Sequence, residues 1–125
     1  ATAQAYAPYS KFNVGAAVLF EDGVIVKGAN QENAAYPSGL CAERTALFYA
    51  SASRPDKAMV AIAIAAGQNG QLCEMPATPC GACRQVMAQY QLKSGLPMRV
   101  LLVGAHKSWR FEKVDDLLPL IFDSI

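Results

Sequence analysis

Cys80 and Cys83 stand three residues apart, directly behind Pro79, in the stretch "TPCGACRQV" of a 125-residue chain that owns only four cysteines. Thiols at that spacing serve either as a redox dithiol or as two ligands for a soft metal such as zinc, held from the first turn of a helix. A third thiol, Cys41, opens "CAERTAL", with Glu43 and Arg44 two and three positions behind it. Both segments read as helix starts, where the partial positive charge of the backbone favours a thiolate. Cys83 lies one turn beyond Cys80, on the same face. If the two helices pack side by side on one face of a sheet, their starts converge at the strand ends and gather three sulfurs. Three thiolates around zinc leave the fourth tetrahedral position open to water, which distinguishes a catalytic zinc from a structural one.

Glu43, within the first turn after Cys41, can reach that open side without ligating, and a carboxylate there is placed to shuttle protons. A ligand, one residue, a non-ligating Glu and a later P-C-x-x-C is the signature of zinc deaminases that act on nucleobases. Here it reads "CAE" and, 39 residues on (80 minus 41), "PCGAC". Zinc with three thiolates carries a net negative charge that opposes ionising a water on it, so a cation is expected nearby. Arg44 shares the face of Cys41 and is expected to donate hydrogen bonds to the thiolates. The competing readings are a redox dithiol and a closed structural zinc site. The latter needs a fourth ligand from His106 or Cys73, which read instead as a surface residue and a bystander thiol.

Length and composition bound the rest. The chain is expected to form a single domain over 1–125, and its 53% hydrophobic content is high enough to suggest that some apolar surface lies between subunits. Eleven basic and ten acidic residues give a net charge of +1 with no basic stripe, which argues against nucleic acid as the main partner. The longest apolar run, Ala58 to Ala66, is about half of the roughly 20 residues a membrane-spanning helix needs. A cytoplasmic protein with reduced thiols is expected. The opening "ATAQAYAPYS" reads like the tail of a helix, so the N-terminal helix is expected to be truncated.

The elements that must position these residues follow from pattern. Residues 1–7 are weakly helical. Runs over 14–20 and 24–30, joined by "EDG" with Gly23 supplying positive φ, form a hairpin. A helix from Cys41 ends before Pro55, "MVAIAIAA" (59–66) reads as an inner strand buried on both faces, and Pro79 introduces a second helix over 80–90. Strands over 99–104 and 109–114 and a short helical turn with a tail close the chain. Strands alternating with helices in the second half imply an α/β layered sheet.

Together "NQENAAYPSGLCAERTAL", "PCGACRQV", "PYSKFNVGAAV" and the late "LLP" resemble the cytidine deaminase family, specifically its small, homotetrameric, three-cysteine zinc type, from about Tyr6 to Phe122. The resemblance implies a three-layer α/β/α sandwich with a mixed five-stranded sheet and one zinc ion per subunit on Cys41, Cys80 and Cys83. It implies that Glu43 is catalytic, that Asn30 and Glu32 bind the ribose, chiefly its 3′-hydroxyl, and that Phe12 and Tyr36 line the pyrimidine and sugar pocket. The backbone N–H of Ala42 would hold the base, and Phe122 would stack on a base bound by a neighbouring subunit. The implied reaction is deamination of cytidine and 2′-deoxycytidine to uridine and 2′-deoxyuridine with release of ammonia, in pyrimidine salvage. Because the sugar contacts read the 3′ position, they do not rank the two substrates. Asn13 stands where the family commonly has proline, the segment before Pro79 is somewhat long, and "LIF" makes the tail more apolar than usual. Weighed against these roles, Asn30 and Glu32 could merely end a strand and cap a turn, and the three aromatics could be core or interface. The alternative functions are deamination of another aminated pyrimidine nucleoside, such as a blasticidin-type antibiotic, and a non-catalytic zinc-stabilised binding module.

Overall fold

Residues 1–124 are described by the structure, a computed structural model. Strand β1 (Asn13–Phe20) alternates its side chains between two faces and turns back into β2 (Ile25–Ala29). The turn closes with the Phe20 N–H donating to the Val24 carbonyl, and Gly23 at φ 91 takes the left-handed conformation expected of it. Helix α1 (Ala42–Ser53) stops before Pro55, which disfavours helical backbone at the preceding residue. Strand β3 (Met59–Gln68) folds back on the two-residue strand β4 (Gln71–Leu72). Helix α2 (Gly81–Ser94), strand β5 (Arg99–Val103), strand β6 (Ser108–Phe111) and a 3-10 turn at Val114–Asp116 complete the order.

The strands form one mixed sheet in the order β2-β1-β3-β5-β6, with β4 paired off β3; only β3 and β5 run parallel. The sheet therefore has six strands, not the expected five. The extra one follows Asn69-Gly70, both at positive φ (54 and 75), in the tight hairpin turn that an Asn-Gly pair favours. Helix α2 outruns the expected end at residue 90 because Gln91, Leu92 and Lys93 are good helix formers. Gly95, left-handed at φ 71, stops it by donating to the Gln91 and Leu92 carbonyls. Of the weak N-terminal helix, only a 3-10 turn at Thr2–Gln4 is present.

One face of the sheet carries the core. Ala16, Val18 and Phe20 of β1, Ile62 and Ile64 of β3, and Val100 and Leu102 of β5 are buried against Ala46, Leu47 and Ala50 of α1 and Met87 and Ala88 of α2. Both helices thus lie on that face, so the mixed α/β sheet with two helices shows, among the described residues, one helical layer rather than the two of the expected three-layer sandwich. The other face, with Ala17, Ala61 and Ala63 half-buried and Leu101 exposed, carries only the N-terminal 3-10 turn among the described residues. Strand β3 is accordingly buried on one face rather than both. Because each helix precedes a strand of the parallel pair, α1 and α2 both start at the end where β3 and β5 finish, the position where open α/β sheets bind ligands.

The seat of α1 is set by Gly28 on β2. A Cβ there would lie 2.5 Å from the Ala46 backbone nitrogen, so only glycine lets the helix approach this closely. Gly28→Ala is expected to cost about 1–3 kcal/mol in overpacking, a loss measurable in denaturant unfolding, and to lower metal retention because α1 carries Cys41. The far end of the helix is pinned by Arg54, whose guanidinium pairs with Asp22 and lies 4.7 Å from the centre of the Phe20 ring.

Candidate metal and substrate site

Cys41 is the N-cap of α1 and Cys80 the N-cap of α2; Cys83 sits in the first turn of α2. Convergence of the two helix starts brings the three sulfurs within 4.8 Å of one another, with 4.0 Å between those of Cys41 and Cys80. Tetrahedral zinc–thiolate bonds of about 2.3 Å place sulfurs roughly 3.8 Å apart, so the cluster needs little adjustment to hold the ion. Cys83 is fully buried, Cys41 half-buried and Cys80 exposed, which leaves one side of the cluster open.

The electrostatics also fit a cation. Burial pushes the Cys80 thiol up, but hydrogen bonding from the backbone N–H groups of Cys83 and Ala82 and from the other two thiols outweighs it and holds Cys80 below the ordinary thiol value. Burial, then the Glu43 carboxylate, drive Cys83 far above that value. Three thiols packed this tightly beside a carboxylate cannot all ionise without a metal between them. Arg44 Nη2 donates to Cys41 Sγ at 3.5 Å, as expected from its place on the helix, and this bond favours its charged form despite burial. Its Nε is buried without a partner among the described residues. Arg44→Gln is expected to weaken zinc affinity about 10- to 100-fold, read by competition with a chromogenic chelator, because the thiolates lose their neutralising donor.

Glu43 is buried, at 5% exposure, and lines a cavity of about 200 Å³ together with Cys41, Cys80, Ala42, Phe12 and Asn30. Ala42 is the first residue of α1, so its N–H has no acceptor within the helix. A second cavity of about 270 Å³ shares Asn30 and Cys41 and adds Glu32, Tyr36 and Arg44. The inner compartment is walled by thiols, an acid and an aromatic ring, and the outer one is polar. A flat heterocycle with a hydroxylated substituent matches that division.

Several expected contacts are already engaged within the chain. The Val14 N–H donates to Asn30 Oδ1 and Asn30 Nδ2 donates to the Phe12 carbonyl, each at 2.9 Å, which fixes the backbone around Phe12. Glu32 Oε1 accepts from the backbone N–H groups of Tyr9 and Ser10 at 2.9 and 3.1 Å, and Oε2 accepts from the Ser10 hydroxyl. The Ser10 hydroxyl bond holds the Glu32 carboxyl below its ordinary range in spite of desolvation. Ser10 Oγ in turn accepts from the Phe12 N–H at 3.1 Å, so Ser10 links Glu32 to Phe12. Sequence reasoning missed Ser10; its place two residues before Phe12 in "YSKF" was the available signal. Tyr36, in the 3-10 turn Tyr36–Ser38, is 76% exposed at the rim and meets Tyr9 edge-on. Phe122 lines neither cavity and is 66% exposed. His106 and Cys73 lie outside the sulfur cluster; His106 is an exposed neighbour of Glu74.

Comparison with known proteins agrees with this geometry. The chain is 56% identical over 86 residues to a cytidine deaminase of Halalkalibacterium halodurans, a match covering 68% of this chain and 60% of that protein. It is 52% identical over 87 residues to a cytidine deaminase of Sporosarcina psychrophila, covering 70% and 60%. The match thus spans about 60% of the length of these curated relatives. The crystal structure of cytidine deaminase from Burkholderia pseudomallei superposes with a TM-score of 0.78 at 41% identity, covering 97% of this chain and 90% of that one. Residues 1–96 match the family model described as the cytidine and deoxycytidylate deaminase zinc-binding region, which agrees with a zinc ion at the three-cysteine cluster. This chain belongs to the cytidine and deoxycytidylate deaminase family.

Proposed function

We propose that this chain catalyses the hydrolytic deamination of cytidine and 2′-deoxycytidine, releasing ammonia, with zinc held by Cys41, Cys80 and Cys83. The observation that carries the reading is a buried acid, Glu43, sharing one cavity with two of three clustered thiols. When bound, zinc supplies Lewis-acid activation of a water molecule. Glu43 takes a proton from the attacking water and delivers it to N3 of the pyrimidine as oxygen bonds to C4. It then relays the proton of the new C4 hydroxyl to the amino group, the C4–N bond breaks, and ammonia leaves with a carbonyl in its place. The Ala42 N–H orients the base, Phe12 packs on its face, and the outer compartment with Asn30, Glu32 and Tyr36 receives the sugar. Arg44 offsets thiolate charge.

The proposal extends to a cytoplasmic role in pyrimidine salvage and to a homotetramer in which Phe122 stacks on a base bound by a neighbouring copy. Its support is the family resemblance and the exposure of Phe122 and Leu120 on the surface. Nucleic acid is not expected as substrate, given the net charge of +1. Incubation with cytidine, followed by ultraviolet absorbance and ammonia release, alongside zinc quantification, tests the reading. One zinc per chain and conversion of both nucleosides are expected. Full zinc with untouched cytidine would leave a binding module, or a deaminase of another aminated pyrimidine; a chain that takes up no zinc would end the scheme.

A further inference from the structure

We propose that Arg84 and Gln85, the two residues after Cys83, are positioning residues that clasp the C-terminal tail onto the metal-bearing start of α2 and so aim Phe122. The inference rests on the reading of Phe122 given above. The Gln85 amide pairs with a single residue in both directions: Nε2 donates to the Phe122 carbonyl at 2.7 Å, and the Phe122 N–H donates to Oε1 at 3.3 Å. A planar carboxamide carries a donor and an acceptor side by side, so it reads one backbone unit as an adjacent strand does. Arg84 makes the second attachment. Its Nε donates to the Pro79 carbonyl and its Nη1 to the Leu117 carbonyl, both at 2.9 Å.

Two consecutive side chains thus hold the tail at points five residues apart (122 minus 117), and one of them also grips the residue preceding Cys80. Between the clamps, Leu118 and Ile121 pack against the core while Leu120 is 91% exposed. A tail that ends in an irregular segment has no ladder of its own to fix its direction, so these side-chain bonds set which way Phe122 points. Neither Arg84 nor Gln85 lines the inner or the outer cavity, so an effect on substrate has to travel through the tail.

The test is Gln85→Ala, a change that favours helix and leaves the metal ligands untouched. Backbone amide exchange over 118–123 is expected to accelerate about tenfold, since a lost exposed hydrogen bond is worth on the order of one decade in opening. Zinc content is expected to stay at the wild-type level. KM for cytidine should rise about three- to tenfold with kcat within about twofold, the size of a lost aromatic stacking contact. In a Phe122→Ala background the same substitution should change KM no further. Tail exchange at the wild-type rate in Gln85→Ala would overturn the clasp. An equal KM increase in the presence and absence of Phe122 would overturn its route through that ring. If the wild-type chain turned over no cytidine, the proposed function would fail by itself, and the exchange measurement would still decide the clasp.

Discussion

Glu43→Gln is expected to lower kcat for cytidine by roughly 10²- to 10⁴-fold while the protein keeps its zinc and its fold. The side chain is buried at 5% exposure, and glutamine fills the same volume, so packing is conserved. What disappears is the carboxylate that the proposed function assigns to take a proton from water and give it up at N3 and then at the amine. The variant has a second signature. Because the Glu43 carboxylate is among the groups that raise the Cys83 thiol, its removal makes that thiol easier to ionise. Zinc retention at mildly acidic pH should therefore equal or exceed that of the wild type, measured by dialysis and elemental analysis. Near-normal turnover with full zinc would remove Glu43 from the chemistry.

Cys83→Ser is expected to abolish stable zinc binding and, with it, deamination. The sulfur is fully buried at the junction of both helix starts, and serine cannot supply a thiolate there. Sharing the roughly 10–16 kcal/mol of a protein zinc site among its ligands assigns about 4 kcal/mol to each, a factor on the order of 10³ in affinity. Chelator competition reads this directly. Cys73→Ser is the control. Cys73 donates its backbone N–H to Ala66 and accepts from Ala105, contacts that the substitution keeps, and zinc stoichiometry should not move. An unchanged zinc content in Cys83→Ser would refute the assignment of this cluster as the metal site.

The metal constellation was legible in the sequence because its chemistry imposes short, fixed spacings. Cys80 and Cys83 must be one helical turn apart, and Glu43 and Arg44 must sit in the turn that Cys41 opens. The hairpin at Gly23 and the stop before Pro55 were legible for the same reason: each is a local backbone demand on one or two residues. Strand β4 escaped although its Asn69-Gly70 turn was in view, because two residues of strand leave no alternation to detect. The open second face of the sheet escaped because "MVAIAIAA" is apolar at every position, and a run of that kind does not say whether anything covers both sides. Ser10, Arg84 and Gln85 act on partners 22, 33 and 37 positions away, and no periodicity connects residues so distant. Only the fold brings them together.

The three donors on Glu32 have a stoichiometric consequence. An ionised carboxylate offers about four lone-pair directions, and the Tyr9–Ser10 segment takes three of them. One vacancy is left, enough for a single hydroxyl. Under the proposed function, a sugar docking on this acid while the segment stays in place would be gripped there through one oxygen, and any selection between a ribose and its deoxy counterpart would fall to other atoms of the rim.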